Sequence, residues 1–161
     1  MEDIAAEAPV SKRTLYAHFP TKEDLVLAQL DHLLRSGQTL LKTLARADLP
    51  PHDRIMALFT VCRGRTGTSG CPFIHAATEY PDPADRVHAF AREQKLTMLA
   101  LVTDLVAELG FDEPESLAEQ LVTLSDGVTS RAMVLNDPDY GRHARAAAET
   151  LLKHAPRRAR A

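Results

Sequence analysis

The chain has 161 residues, 45% of them hydrophobic and 25% charged, with a formal net charge of −3. That is enough apolar material for one sizeable core, or a core with a small appended module. It excludes a global basic field, so any surface for nucleic acid or another anion must be a local patch.

Several other classes fall away. Two cysteines, Cys62 and Cys71, do not make a disulfide framework. They fit two small apolar side chains better than a redox pair. No apolar run approaches the roughly 18 to 20 residues of a membrane span. The acidic start MEDIAAEAP is not that of a signal peptide, and a reducing cytoplasm is the expected compartment. There is no glycine-rich phosphate loop, metalloprotease helix or nucleophile elbow. His75 and Glu79 share a metal-capable i, i+4 spacing, but two ligands do not make a site. No enzyme activity, metal, cofactor or membrane partner is expected.

In chain order, residues 2–8 predict a short helix stopped by Pro9. Residues 11–18 predict a second, N-capped by Ser11, with Leu15 and Phe19 at i, i+4. Pro20 breaks the chain. Thr21, followed by Lys22, Glu23 and Asp24, is an N-cap with an acidic first turn. It opens an amphipathic helix running to about Ala47, on Leu25, Ala28, Leu30, Leu33, Leu34, Leu40, Leu41 and Leu44. Gly37 inside it marks a bend or a close contact. LPPHD at 49–53 is a break. A helix with Ile55, Leu58, Phe59 and Cys62 follows, and RGRTGTSG is a loop by composition.

Pro72 opens a short helix through Phe73, Ile74, Ala77 and Tyr80, ended by Pro81. Pro83 stands in the first turn of a helix reaching about Leu109. Val87, Phe90, Ala91, Gln94, Met98, Leu101 and Leu105 lie on one of its faces, and Gly110 is its C′ residue. A helix from Pro114 to Leu135 carries Leu117, Leu121, Leu124, Val128, Ala132 and Leu135. NDPDYG is a turn, 141–154 a last helix, and the basic tail at 156–161 is expected to be disordered. The sum is about eight helices and no convincing strand, an all-α fold.

Two short helices joined by a tight turn, with a longer helix behind them, is the layout of a helix-turn-helix. The second helix of such a unit enters the major groove with its N-terminal residues against base edges. Here that end carries Lys12, Arg13 and Thr14, and Arg or Lys can pair with guanine acceptors. Ser11, Tyr16, His18 and Lys22 suit phosphate oxygens, which fix register and give salt-dependent affinity. Leu15 and Phe19 face the unit's own core.

The stretch DIAAEAPVSKRTLYAHFPTKEDLVLAQL resembles the helix-turn-helix of the TetR family of transcriptional repressors. The shared features are Ile4, Ala5-Ala6, Val10-Ser11, Leu15-Tyr16, His18-Phe19 and Lys22-Glu23-Leu25. At lower specificity, GCPFIHAATEYPDPADRVHAFAREQK is similar to the middle of some TetR-like ligand domains. LAEQLVTLSDGVTSRAMV and HARAAAETLL are similar to the family's last two helices. The resemblance implies a homodimer on double-stranded operator DNA, near-palindromic, released by a small-molecule effector.

It also implies the division of the chain: a partial head at 1–24, a ligand-binding and dimerisation domain at 25–155, and the tail. The head is expected to be incomplete, because the family has a helix before the one that contains Ile4. The turn glycine of the family's Ala-Gly-Val-Ser is replaced by Pro9, whose φ is fixed near −65° and which biases Ala8 towards extended geometry. A second reading follows from these departures: a dimeric small-molecule-binding protein without DNA activity.

The candidate pocket lies between the helices starting near 52, 72, 83 and 114, lined by Phe59, Cys62, Phe73, Phe90, Gln94, Met98, Ser125 and Thr129. Core packing is the plainer role for each. Gln94 and Thr129 are the more telling, because a polar group on an apolar face needs a partner. The candidate dimer surface pairs the helices at 116–135 and 141–154 with their twofold mates. Leu121, Leu124, Gly127 and Val128 would line it from one helix, and Ala144, Ala147, Ala148, Leu151 and Leu152 from the other.

Overall fold

Thr21 and Asp24 close a helix start from both directions. The Thr21 hydroxyl accepts from the Asp24 N–H at 3.1 Å, and the Asp24 carboxylate accepts from the Thr21 N–H at 3.2 Å. This capping box satisfies two of the four donors that a helix N-terminus leaves open. Ser11 does the simpler version, accepting from the Thr14 N–H at 3.1 Å.

In the computed structural model, residues 1–8, 10–61, 63–64, 67–68 and 70–158 are described. The helices are α1 (Glu2–Glu7), α2 (Lys12–His18), α3 (Lys22–Arg35), α4 (Leu40–Leu44), α5 (Pro51–Met56), α6 (Pro72–Glu79), α7 (Arg86–Glu108), α8 (Pro114–Leu135) and α9 (Gly141–His154). A 3₁₀ turn at Ala57–Phe59 extends α5. The fold is all-α, as expected. Within the glycine-rich stretch, β1 (Arg63–Gly64) and β2 (Gly67–Thr68) pair as a two-residue antiparallel ladder, a small departure from a pure loop.

Three boundaries differ from the expectation. The helix opened by Thr21 ends at Arg35, not near Ala47. Gly37 adopts φ +71°. Its N–H bonds to the Leu34 carbonyl at 3.1 Å, and the Gln38 N–H bonds to the Leu33 carbonyl at 3.1 Å. That pair of bonds is a Schellman motif, with glycine at the left-handed position a side chain would resist. Pro83 lies ahead of α7, because Asp85 takes the cap, accepting from the Val87 N–H at 2.7 Å. The tail is held as far as it is described. The Asp112 N–H bonds to the Pro156 carbonyl at 3.1 Å, the Arg158 N–H bonds to the Gly110 carbonyl at 2.9 Å, and the Arg157 guanidinium lies 4.4 Å from the Phe111 ring centroid.

α7 is the central element, packed on α3, α4, α5, α6 and α8. Its Val87, Val102, Leu105 and Val106 are fully covered, with Leu44, Ile55, Leu58, Ala118 and Leu121 around them. Burying each such Val, Leu or Ile side chain stabilises the fold by about 1.5–3 kcal/mol. The result is a helical body, while α1 and α2 pack chiefly on each other. Among the described residues no helix is long and apolar enough to cross a membrane.

Candidate functional site

α1 and α2 pack on each other through buried Ala5 and Leu15, with Phe19 half-buried at the exit. The i, i+4 placement of Leu15 and Phe19 turns the rest of α2 outward. Ser11, Lys12, Arg13, Thr14, Tyr16 and His18 are all exposed. The structure thus brings the expected anion-facing residues onto one accessible helix. The Ser11 and Thr14 hydroxyls also bond to each other at 2.8 Å, which rigidifies the N-terminal turn that carries Lys12 and Arg13.

Pro9 lies outside the described residues. Ala8 before it is not extended: it adopts φ −92° and ψ 27°. Its N–H closes the last bond of α1 onto the Ile4 carbonyl at 3.0 Å, and that bond outweighs the bias towards extended geometry.

Lys22 stands apart from the other candidates. Its Nζ sits 2.5 Å from Glu79 Oε1 at the end of α6. The Glu79 carboxylate, first by hydrogen bonding and then by charge, holds the Lys22 ammonium above its ordinary pKa of 10.5. Two residues on, Asp24 Oδ1 accepts from Arg86 Nη1 at 3.1 Å. The hydrogen bond from Thr21, then that from Arg86, holds the Asp24 carboxyl below its ordinary 3.8. The start of α3 is therefore tied to the end of α6 and to the start of α7. Glu79, Asp24 and Arg86 were missed as site residues. Their partners lie 57 and 62 positions away in sequence, beyond any local pattern.

The expected pocket residues fall in the body. Phe59, Phe73, Met98 and Ser125 are buried, Phe90, Gln94 and Thr129 are half-buried, and Cys62 lies outside the described residues. Both hydroxyls of the set have internal partners. Ser125 Oγ donates to the Leu58 carbonyl at 3.0 Å, and Thr129 Oγ1 donates to the Ser125 carbonyl at 2.8 Å. Beside them, Lys95 Nζ meets Asp126 Oδ1 at 2.5 Å, joining α7 to α8. Sequence reading missed that pair, because each charge taken alone fits a solvated face.

Among the described residues, two surface clefts have room for a small molecule. One of about 380 Å³ lies between the start of α8 and the end of α9, against Phe111, Glu113, Gln120, Thr150 and His154. The other, of about 460 Å³, is lined by Phe59, Val61, Pro138 and Gly141 among others. Of the expected pocket residues that are described, Phe59 alone lines either of these clefts. His75 and Glu79 do not converge on a common point: Glu79 takes Lys22, while His75 Nε2 meets Met133 Sδ at 3.2 Å.

The expected dimer stripe is divided by burial. Leu121, Val128, Ala144, Ala148 and Leu152 are covered by the chain's own core and are not available to a second copy. Leu124 and Leu151 are half-buried, while Gly127 and Ala147 are exposed. Those four remain at least partly accessible, as do exposed Met133, Val134 and Leu135 at the end of α8.

Comparison with known proteins places these elements. The family model described as "Bacterial regulatory proteins, tetR family" matches residues 1–28, which hold α1, α2 and the start of α3. The chain is 28% identical over 139 residues to the HTH-type transcriptional regulator YjdC of Escherichia coli (strain K12), covering 83% of this chain and 72% of YjdC. The structure of SCO4454, a TetR-family transcriptional regulator from Streptomyces coelicolor, is similar with a TM-score of 0.82. It is 31% identical, with 96% of this chain and 83% of that one covered. A TetR-family regulator from Cytophaga hutchinsonii shares the fold with a TM-score of 0.80 at 16% identity, over 99% of this chain and 85% of that one.

Proposed function

The chain belongs to the TetR family of transcriptional regulators, and from that premise we propose that it is a ligand-responsive repressor, binding a near-palindromic operator as a homodimer in the cytoplasm. α2 is the recognition helix. Lys12, Arg13 and Thr14 read base edges in the major groove, while Ser11, Tyr16, His18 and Lys22 contact phosphates. The observation that carries this reading is the outward face of α2. Six polar or cationic residues are exposed there, while Leu15 alone of that helix is buried. In a chain of net charge −3, such a face supplies the local patch that the overall charge does not.

The effector binds in the helical body, where Phe59 of the expected set lines a cleft with Val61, Pro138 and Gly141, and acts by favouring one separation of the two heads. It can do so only through different affinities for the two states. The second copy docks on the accessible part of α8 and α9, through Leu124, Gly127, Ala147 and Leu151.

Operator binding is the first test. The full chain should enrich a sequence from a random duplex pool and bind it with strong salt dependence. Arg13→Ala should weaken binding by about 5- to 150-fold and relax the preference at one base position per half-site. Binding only by a version extended upstream would point to an incomplete head, and absence of salt-dependent, sequence-selective binding by both would refute the repressor reading. A dimeric small-molecule-binding protein without DNA activity would then remain.

A further inference from the structure

Lys22 and Glu79 each carry charge against the end of their own helix. Lys22 is the first residue of α3, where unpaired N–H groups form the positive pole. Glu79 is the last residue of α6, where unpaired carbonyls form the negative pole. A cation at a helix start and an anion at a helix end are both unfavourable by themselves. The fold sets each against the other at 2.5 Å, with the side chains 54% and 49% exposed. Each charge relieves the other's mismatch, and the pair stays open to solvent on its outer side. An external anion can approach Lys22 from there.

We propose that Glu79 is an internal competitor for the DNA backbone: it holds Lys22 in the free chain and must release it before Lys22 can reach a phosphate. This rests on the reading of Lys22 as a phosphate contact. Phosphate and carboxylate are both oxyanions, and either can neutralise a lysine at a helix start. An exposed ion pair makes only a modest threshold, up to about five-fold in affinity per head, or up to about 25-fold for a dimer engaging both. A modest threshold is suited to a switch. α6 packs on both α3 and α7, so a small displacement of its last turn withdraws or restores the competitor. The neighbouring Arg86–Asp24 tie keeps the start of α3 anchored while Lys22 changes partner.

The test compares the wild-type chain with Glu79→Gln, Lys22→Gln, the double variant and Arg86→Gln. All are titrated at two salt concentrations against the duplex enriched by the wild type, after circular dichroism confirms equal helix content. Glu79→Gln should tighten binding by up to about five-fold per head. That gain should vanish in the Lys22→Gln background. Lys22→Gln alone should weaken binding and reduce the salt slope by about 0.9 per head.

Weaker binding by Glu79→Gln would overturn the proposal, since Glu79 would then be positioning Lys22 for the phosphate. Unchanged binding by Glu79→Gln, with Lys22→Gln still weakening it, would also overturn it while leaving the repressor reading intact. An equal gain from Arg86→Gln would attribute the effect to a looser α3 start and reject competition. If neither the wild type nor the version extended upstream enriches a duplex, the repressor reading fails and the competitor fails with it.

Discussion

Gly127→Ala separates the chain's own needs from those of an interface. Gly127 lies well inside α8 (Pro114–Leu135) and is exposed. A Cβ built there meets nothing within 4 Å. Within one chain, then, glycine brings only its helix cost, about 0.8–1.0 kcal/mol relative to alanine. The proposed dimer face gives it a purpose, because a residue without a side chain lets a second helix approach closely. The two effects have opposite signs. Each separate chain should gain about 0.8–1 kcal/mol, which for a chain of this size raises its melting temperature by about 2–4 °C.

In the dimer each added methyl group meets the partner, and overpacking costs typically about 1–3 kcal/mol. Twofold symmetry doubles this to about 2–6 kcal/mol, so the dimer dissociation constant should rise by at least about 30-fold. Sedimentation equilibrium measures the constant, and melts over a range of protein concentrations separate the two contributions. A raised melting temperature with an unchanged dissociation constant would refute a close approach at Gly127. It would leave Leu124, Ala147 and Leu151 to form a contact elsewhere on that surface.

Two further outcomes follow from local geometry. Gly141 is the opposite case to Gly127: a Cβ there would run into the carbonyl oxygen of Phe59, a backbone atom that cannot rotate away. Gly141→Ala should therefore destabilise by about 1–3 kcal/mol in urea unfolding despite alanine's better helix propensity. Unchanged stability would mean that the start of α9 does not press on Phe59. Asp24, whose carboxyl is held below its ordinary 3.8 by Thr21 and then Arg86, gives a signed pH effect. Its folded pKa lies below the unfolded one, so its contribution is full above the unfolded value and is lost as pH falls through the folded value. Asp24→Asn should flatten the fall in melting temperature below about pH 4 and leave the dependence near neutrality unchanged. An unaltered acid limb would refute the assignment.

The parts of this molecule that sequence reveals are those whose causes lie within a few residues. Ser11 caps through Thr14, and Thr21 boxes with Asp24, each three positions along. Both helix starts were legible for that reason. The end of α3 was misjudged because leucines recur on both sides of Gly37, and apolar periodicity takes no account of a reversal in φ. The Schellman bonds at Leu33 and Leu34 were the competing local signal, and they prevail because they satisfy carbonyls that the helix end leaves open. The α8 and α9 stripes show a different limit. Periodicity identifies an apolar face but not what covers it. Leu121, Val128, Ala144, Ala148 and Leu152 turn inward, while Gly127 and Ala147 on the same helices do not.

The early end of α3 also changes which part of the body can move the head in the proposed release. A helix from 22 to 47 would run past the core as a single lever. As it stands, α3 has 14 residues, about 21 Å at 1.5 Å per residue. Beyond Gly37, α4 buries Leu41 and Leu44 among the core residues and belongs to the body. A displacement arising near α4 or α5 therefore meets a break at Gly37 before it reaches α3. At the other end of α3, Lys22–Glu79 and Asp24–Arg86 connect directly to the last turn of α6 and the first turn of α7. Two charge pairs at the head end offer a shorter mechanical route than a chain reversal at the far end. A ligand that shifts α6 against α7 by a fraction of a turn would act on the head through those pairs, with no need to bend α3.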